Sequence, residues 1–232
     1  MDIVLIPGFW LDASSWDPVV PVLEARGHRV RALTLPGKET KEADRAGIGL
    51  RDHIDAVVAV LDDLPERAVL VGHSGGGAIA HGALDARPDK VRRVVYVDAG
   101  PLGDGGVIND ELPLVGDEIP LPDWEVFEEE DLRDLTDELR ERFRAIAIPE
   151  PKGVAYDEQR LSDPRRYEVP ITVICCEFPS EMLREFMAAD HPFTAELKAV
   201  KEKEFVDLPT GHWPQLTRPA ELAEVLAEVV EH

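Results

Sequence analysis

Over its first hundred residues the chain alternates short apolar runs with segments of helical periodicity, and few architectures accept that rhythm. Residues 2–6, Asp-Ile-Val-Leu-Ile, read as a buried strand closed by Pro7-Gly8. Trp16, Val19, Val20 and Leu23 recur at helical spacing, which predicts a helix capped by Ser14 or Ser15 that runs to about Ala25. Gly27 ends it, and His28–Leu35 leads into a second strand closed by Pro36-Gly37. Residues 38–47 are charged and read as loop, whereas 49–64 carries Ile54, Val57, Val58 and Leu61 on one helical face. A strand at 68–73, a small-residue helix stopped by Pro88, and a strand at 91–97 complete a βαβαβαβ order. Parallel strands need such crossovers, so the fold class is α/β: a mostly parallel sheet of about six strands with helices on both faces.

The rhythm then breaks. Residues 101–168 hold no sheet strand and turn acidic and helical between Trp124 and Ile148, which predicts an inserted helical lid. The sheet resumes at Ile171–Cys176. Residues 180–198 are partly helical with a break at His191-Pro192, and a last strand at Glu204–Leu208 precedes a helix at Pro219–Val230. The expected organisation is a core of residues 1–100 and 169–232 around a lid of residues 101–168.

At the end of the 68–73 strand stands Gly72-His73-Ser74-Gly75-Gly76, a G-x-S-x-G pattern between an apolar strand and a small-residue helix. Glycine flanks such a serine because a β-carbon at either place would collide with the neighbouring strand or helix. The tight turn lifts the hydroxyl above the sheet edge and aims the following amides at whatever it attacks. A serine needs a base. His212, in Pro209-Thr210-Gly211-His212-Trp213-Pro214, follows the last strand, and in a parallel sheet all strands end on one edge. His53 and His81 sit on helices away from that edge, His28 opens a strand at the opposite edge, and His232 is terminal. His73 packs beside the serine, which leaves His191 as the rival.

Composition bounds the remaining classes. With 47 acidic and 25 basic residues the net charge is −22, which repels nucleic acid and anionic membranes. No apolar run is long enough to span a bilayer, and Met1-Asp2 leads straight into a strand rather than a signal segment. The adjacent Cys175 and Cys176 must point to opposite faces of a strand and are expected as buried free thiols, consistent with a cytoplasmic protein. No metal-spaced cluster or phosphate loop is present, so no metal or cofactor is expected. The expected partner is a small-molecule substrate, and the oligomeric state, a homodimer included, stays open.

Taken together, Ile6-Pro7-Gly8-Phe9-Trp10, the Gly72–Gly76 elbow, the Gly211-His212-Trp213 loop and the insertion before the last strands resemble the α/β-hydrolase superfamily, in its small esterase and hydroxynitrile-lyase-like branch. The resemblance covers nearly the whole chain. It implies Ser74 as nucleophile, His212 as general base and the backbone amides of Phe9 and Gly75 as oxyanion hole. The family usually has His-Gly where this chain has Pro7-Gly8, a change that leaves the Phe9 amide in place. Its acid usually follows the second-to-last strand, where this chain has Glu177-Phe178-Pro179, with Pro179 at the expected aspartate. Two carboxylates remain: Asp98, which ends the strand after the elbow strand and is favoured, and Glu177 as the alternative. Phe9, Trp10, Trp124, Phe127 and Trp213 are candidates to line the substrate pocket. The implied function is a serine hydrolase that cleaves a small ester or related acyl substrate through an acyl-enzyme. The alternatives are a lyase using the same Ser/His pair, with Lys152 a remote candidate for its polar group, or a low-turnover ligand-binding protein.

Overall fold

The computed structural model describes residues 1–231, so His232 lies outside the described residues. Among them a parallel sheet is built from β1 (Asp2–Ile6), β2 (Arg29–Ala32), β3 (Ala68–His73) and β4 (Val91–Val97). A two-stranded antiparallel ribbon, β5 (Glu118–Ile119) and β6 (Glu150–Pro151), belongs to the insertion. The sheet ends with β7 (Ile171–Cys175) and β8 (Lys203–Asp207), and its six strands run in the order β2-β1-β3-β4-β7-β8. The helices are α1 (Val20–Ala25), α2 (Leu50–Asp63), α3 (Gly75–Ala86), α4 (Asp137–Ile146) and α5 (Lys152–Tyr156), then α6 (Ser180–Ala188), α7 (Ala195–Ala199), α8 (Pro214–Thr217) and α9 (Pro219–Val229).

The period of two along the strands divides the core. Val4, Ile6, Leu70, Val94, Tyr96 and Val173 face α2 and α3, whereas Ile3, Leu5, Val69, Val71, Val95 and Ile174 face α1 and α9. Cys175 belongs to the first side and Cys176 to the second, both as buried free thiols, as their adjacency requires. No helix of the described residues is long and apolar enough to cross a membrane.

The first helix is shorter than its periodicity predicts. Asp12, rather than Ser14 or Ser15, caps the segment, its carboxylate accepting the Ser14 amide at 2.9 Å. A 3-10 turn then covers residues 13–16, and α1 begins only at Val20 with Pro21 in its first turn. Two prolines, Pro18 and Pro21, lack the amides a continuous helix would need. The 38–47 segment is a loop as expected, but Lys38 and Arg45 within it are buried.

The 101–168 segment grips two loops. Residues 131–133 accept the amides of Gly211 (3.1 Å, at Arg133 O) and His212 (2.8 Å, at Asp131 O). A β-carbon on Gly211 would lie 2.3 Å from Asp131 O, so this contact admits glycine alone. Residue 148 grips the loop after β1, where Ile148 N–H donates to Trp10 O at 2.9 Å.

Candidate active site

Strand β3 has a paired neighbour on each side, and it ends at a turn that the backbone cannot adopt cheaply. Ser74 has φ +52° and ψ −127°, an unusual conformation for a residue with a side chain. The turn holds because Ser74 N–H donates to Val97 O (3.1 Å) and Gly77 N–H to Ser74 O (2.8 Å). The steric reason for the motif is explicit at Gly76, where a β-carbon would lie 2.5 Å from Pro7 O and 2.7 Å from Ile6 O. The elbow thus rests directly on the loop after β1. The Phe9 ring covers Gly75, where an added β-carbon would fall 2.6 Å from it. The two residues expected to supply oxyanion donors are therefore neighbours.

His212 arrives from the loop after β8. Its Nε2 lies 2.7 Å from Ser74 Oγ, and its Nδ1 lies 2.7 Å from Asp98 Oδ2. Glu177 Oε1 lies 2.7 Å from the same Nδ1, so the structure brings both candidate carboxylates to one nitrogen. They are not equivalent. Asp98 Oδ1 also accepts the amides of Cys176 (2.9 Å) and Glu177 (3.1 Å), which fixes its orientation. Glu177 Oε1 has no hydrogen bond of good geometry.

The electrostatics follow from crowding two carboxylates around one imidazole. For Asp98, burial works upward, but the hydrogen bond and charge of His212 and the two amides outweigh it and hold the carboxyl below its usual range. For Glu177, burial prevails, opposed by His212 and reinforced by Asp98, and the group is pushed up to about 7. For His212, burial works downward, but hydrogen bonds to Asp98 and Glu177 override it and raise the ring well above its ordinary value. Asp98, Glu177 and His212 also place donor atoms within 4.8 Å of one another, a set of the kind a metal can use. Here the imidazole nitrogens are already engaged by the carboxylates and by Ser74.

Behind the site, His73 is fully buried, with Nε2 2.6 Å from His212 O. Burial, then the charge of His212, depresses it to about 3, so the ring is neutral and donates from Nε2 to that carbonyl. His73 packs beside the elbow as expected and supports the His212 loop. The rival His191 instead caps a 3-10 turn at 192–194 through its Nδ1 and is not joined to Ser74.

A cavity of about 860 Å³ opens at Ser74 and His212. Leu102, Ile108, Val173, Leu183 and Leu197 supply apolar wall, and Phe178 and Phe193 also line it while remaining exposed. The polar wall is a closed network. Glu196 accepts from Arg166 (2.7 Å) and Tyr167 (3.1 Å) and pairs with His81 (3.0 Å), and His81 meets Tyr96 OH at 2.8 Å. Nothing in the local sequence pattern distinguished Arg166 or Glu196 from solvated charges.

The expected lining by Trp10, Trp124 and Trp213 is corrected by the structure, since none of them borders the cavity. Trp10 and Trp213 are buried and Trp124 partly so, in an aromatic cluster with Phe127 and Phe143. Ring centroids lie 5.7 Å apart for Trp10–Phe127, 5.3 Å for Phe127–Trp213 and 5.2 Å for Phe143–Trp213. Large rings bury most area against one another, and here they join the insertion to the loops after β1 and β8. Lys152 is exposed on the insertion and does not border the cavity either. The walls come instead from residues 98–108 and from the 166–197 stretch, so the β7–β8 connection contributes as much as the insertion.

A model of the alpha/beta hydrolase family matches residues 3–225. Pyrethroid hydrolase of Sphingobium wenxiniae is 27% identical over 250 residues, covering 99% of this chain and 88% of that protein. Methylesterase 8 of Arabidopsis thaliana is 39% identical over 98 residues, which span 40% of this chain and 36% of that one. In structure, an extracellular alpha/beta-hydrolase from a Paenibacillus species superposes with a TM-score of 0.78 at 22% identity, over 98% of both chains.

Proposed function

The chain belongs to the alpha/beta hydrolase family and is an esterase-type hydrolase, and from that premise we propose that Ser74, His212 and Asp98 are its catalytic triad. The observation that carries this reading is the hydrogen-bonded line from Ser74 Oγ through both nitrogens of His212 to Asp98, at the mouth of the cavity. His212 Nε2 takes the Ser74 proton as Oγ attacks the ester carbonyl carbon. The carbonyl oxygen becomes an oxyanion held by the Phe9 and Gly75 amides. The same imidazole returns the proton to the leaving alcohol as the C–O bond breaks. Water, deprotonated by His212, then attacks the acyl-enzyme and releases the acid and free Ser74. Each oxyanion donor is worth about 3 kcal/mol, so the backbone contributes as much as a side chain.

Asp98 is the orienting acid because its second oxygen is fixed by two amides, leaving Oδ2 aimed at Nδ1. The substrate is a small molecule with an apolar body, for which a mostly apolar cavity of about 860 Å³ is the support. A cytoplasmic location without nucleic-acid or membrane partners belongs to the same proposal. It rests on the net charge of −22 and the two buried free thiols.

A fluorophosphonate probe and a series of p-nitrophenyl esters of graded chain length test the reading together. Fast labelling lost in Ser74→Ala, with ester turnover, is the expected result. Labelling without turnover of any ester points to a lyase or a low-turnover binding protein, and absence of labelling rejects the activated serine.

A further inference from the structure

The loop that carries the Phe9 amide is held by a buried charge pair that no triad residue touches. Leu11 N–H donates to Gly8 O at 3.3 Å, which closes a four-residue turn with Phe9 and Trp10 at its centre. Trp10 has φ +63°, the conformation that the third position of a type II turn demands and that usually selects glycine. A residue with a side chain stays there only if its surroundings outweigh the strain. Three hydrogen bonds from the insertion do so. Trp10 N–H donates to Glu150 Oε2 (3.3 Å), Ile148 N–H donates to Trp10 O (2.9 Å), and the indole Nε1 donates to Ile119 O (3.1 Å). The first is the decisive one, because a type II turn differs from the relaxed type I by a flip of the peptide that carries this amide.

Glu150 is 3% exposed, and a lone carboxylate there would be costly. Lys38, from the loop after β2 and only 1% exposed, supplies the counter-charge. Its Nζ donates to Glu150 Oε2 (2.6 Å) and to Ile148 O (2.9 Å). Three chain segments thus meet at one buried ion pair beside the turn.

We propose that Glu150, neutralised by Lys38, is a positioning residue for ester hydrolysis: it fixes the conformation of the turn that presents the Phe9 amide to the oxyanion, and keeps the flipped Phe9 carbonyl from entering that site. This rests on Ser74 being the activated nucleophile. A buried ion pair can be replaced by apolar residues with little loss of stability, so stability and positioning are separable. In Lys38→Met/Glu150→Gln the amide oxygen still accepts the Trp10 N–H. In Lys38→Met/Glu150→Leu nothing does.

The experiment compares these double variants by Tm, by kcat and KM on a p-nitrophenyl ester, and by the rate of fluorophosphonate labelling. The expected result is similar Tm values, with kcat and labelling lower in the Leu variant by on the order of 10- to 100-fold and KM changed by less than about twofold. Equal labelling rates in the two variants overturn the proposal, while an unlabelled wild-type protein rejects the nucleophile assignment instead. Should neither variant fold, amide exchange in the unmodified protein decides. The Trp10 amide is expected to be protected on the order of 100-fold beyond an exposed loop amide, and an unprotected one overturns the proposal.

Discussion

Replacing Asp98 by Asn tests the site at its most discriminating atom, because Asn keeps the shape and changes only what Oδ2 can do. In the wild type Oδ1 accepts two amides and Oδ2 accepts the His212 Nδ1 proton. The substituted asparagine has two ways to settle. With its carbonyl on the Cys176 and Glu177 amides, its NH₂ faces Nδ1 and drives the proton to Nε2, where His212 can no longer accept from Ser74. That wrong tautomer costs about 10⁴-fold in kcat, or ~5.5 kcal/mol of transition-state stabilisation. With the amide flipped, its carbonyl accepts the Nδ1 proton and the tautomer survives, but its NH₂ then faces the two buried amides, which lose their acceptor. Each orphaned amide costs about 1–3 kcal/mol. The cheaper route prevails, so the expected loss is about 10²- to 10⁴-fold in kcat/KM.

Glu177→Gln leaves Asp98 in place and is expected to lose less than about tenfold. Its second effect has a definite sign. Ionised carboxylates raise His212, and the base acts only when neutral, so removing one moves the acid limb of the kcat/KM profile to lower pH. The double variant has no carboxylate at Nδ1 to stabilise the imidazolium and should fall about 10⁴-fold. The assay is pH-dependent kcat/KM on a p-nitrophenyl ester, with active sites counted by fluorophosphonate. Asp98→Asn within about threefold of wild type, alongside a collapse in Glu177→Gln, would refute the reasoning and make Glu177 the acid.

Further outcomes follow from the packing. Gly76→Ala places a carbon against two backbone carbonyls and is expected to destabilise by roughly 2–4 kcal/mol in urea unfolding, with slower labelling of Ser74. Phe143→Ala empties a fully buried site between Trp124 and Trp213, at a cost of about 3–5 kcal/mol. Because the insertion grips the His212 loop, kcat should fall with it, and unchanged kcat would show that the grip is dispensable. His73 is depressed to about 3 in the fold and titrates near 6.5 when unfolded. The unfolded chain therefore binds this proton first, and stability falls as pH drops from ~6.5 toward 3, by up to about 1.4 kcal/mol per unit from this residue. Urea midpoints over that range check it, and a His73→Asn variant should flatten the slope.

How much of this could be read in advance depends on the range of the interaction concerned. The order of strands and helices was legible because hydrophobic periodicity records which face of each element is buried. Cys175 and Cys176 fell on opposite sides of the sheet for that reason alone. The elbow was legible because its glycines answer a steric demand of neighbouring residues. The break of the first helix was harder to see, since Pro18 and Pro21 compete with a good apolar pattern. The burial of Lys38 and Arg45 left no trace, because a charged loop looks alike whether its partner is water or a carboxylate from the distant insertion. The aromatic residues misled for the same reason: periodicity says that Trp124 and Trp213 are buried, and cannot say whether a cavity or another ring buries them.

By itself, then, the sequence determined the α/β sheet, the serine turn and the edge on which the histidine arrives. Those follow from local sterics, period and the parallel direction of the strands. Only the tertiary structure decided that two carboxylates meet His212, that the insertion and the β7–β8 connection share the cavity wall, and that the insertion also grips the His212 loop. Ser74 and His212 are 138 positions apart, and Lys38 and Glu150 112. Contacts at such separations are set by how whole elements pack, which no local pattern encodes.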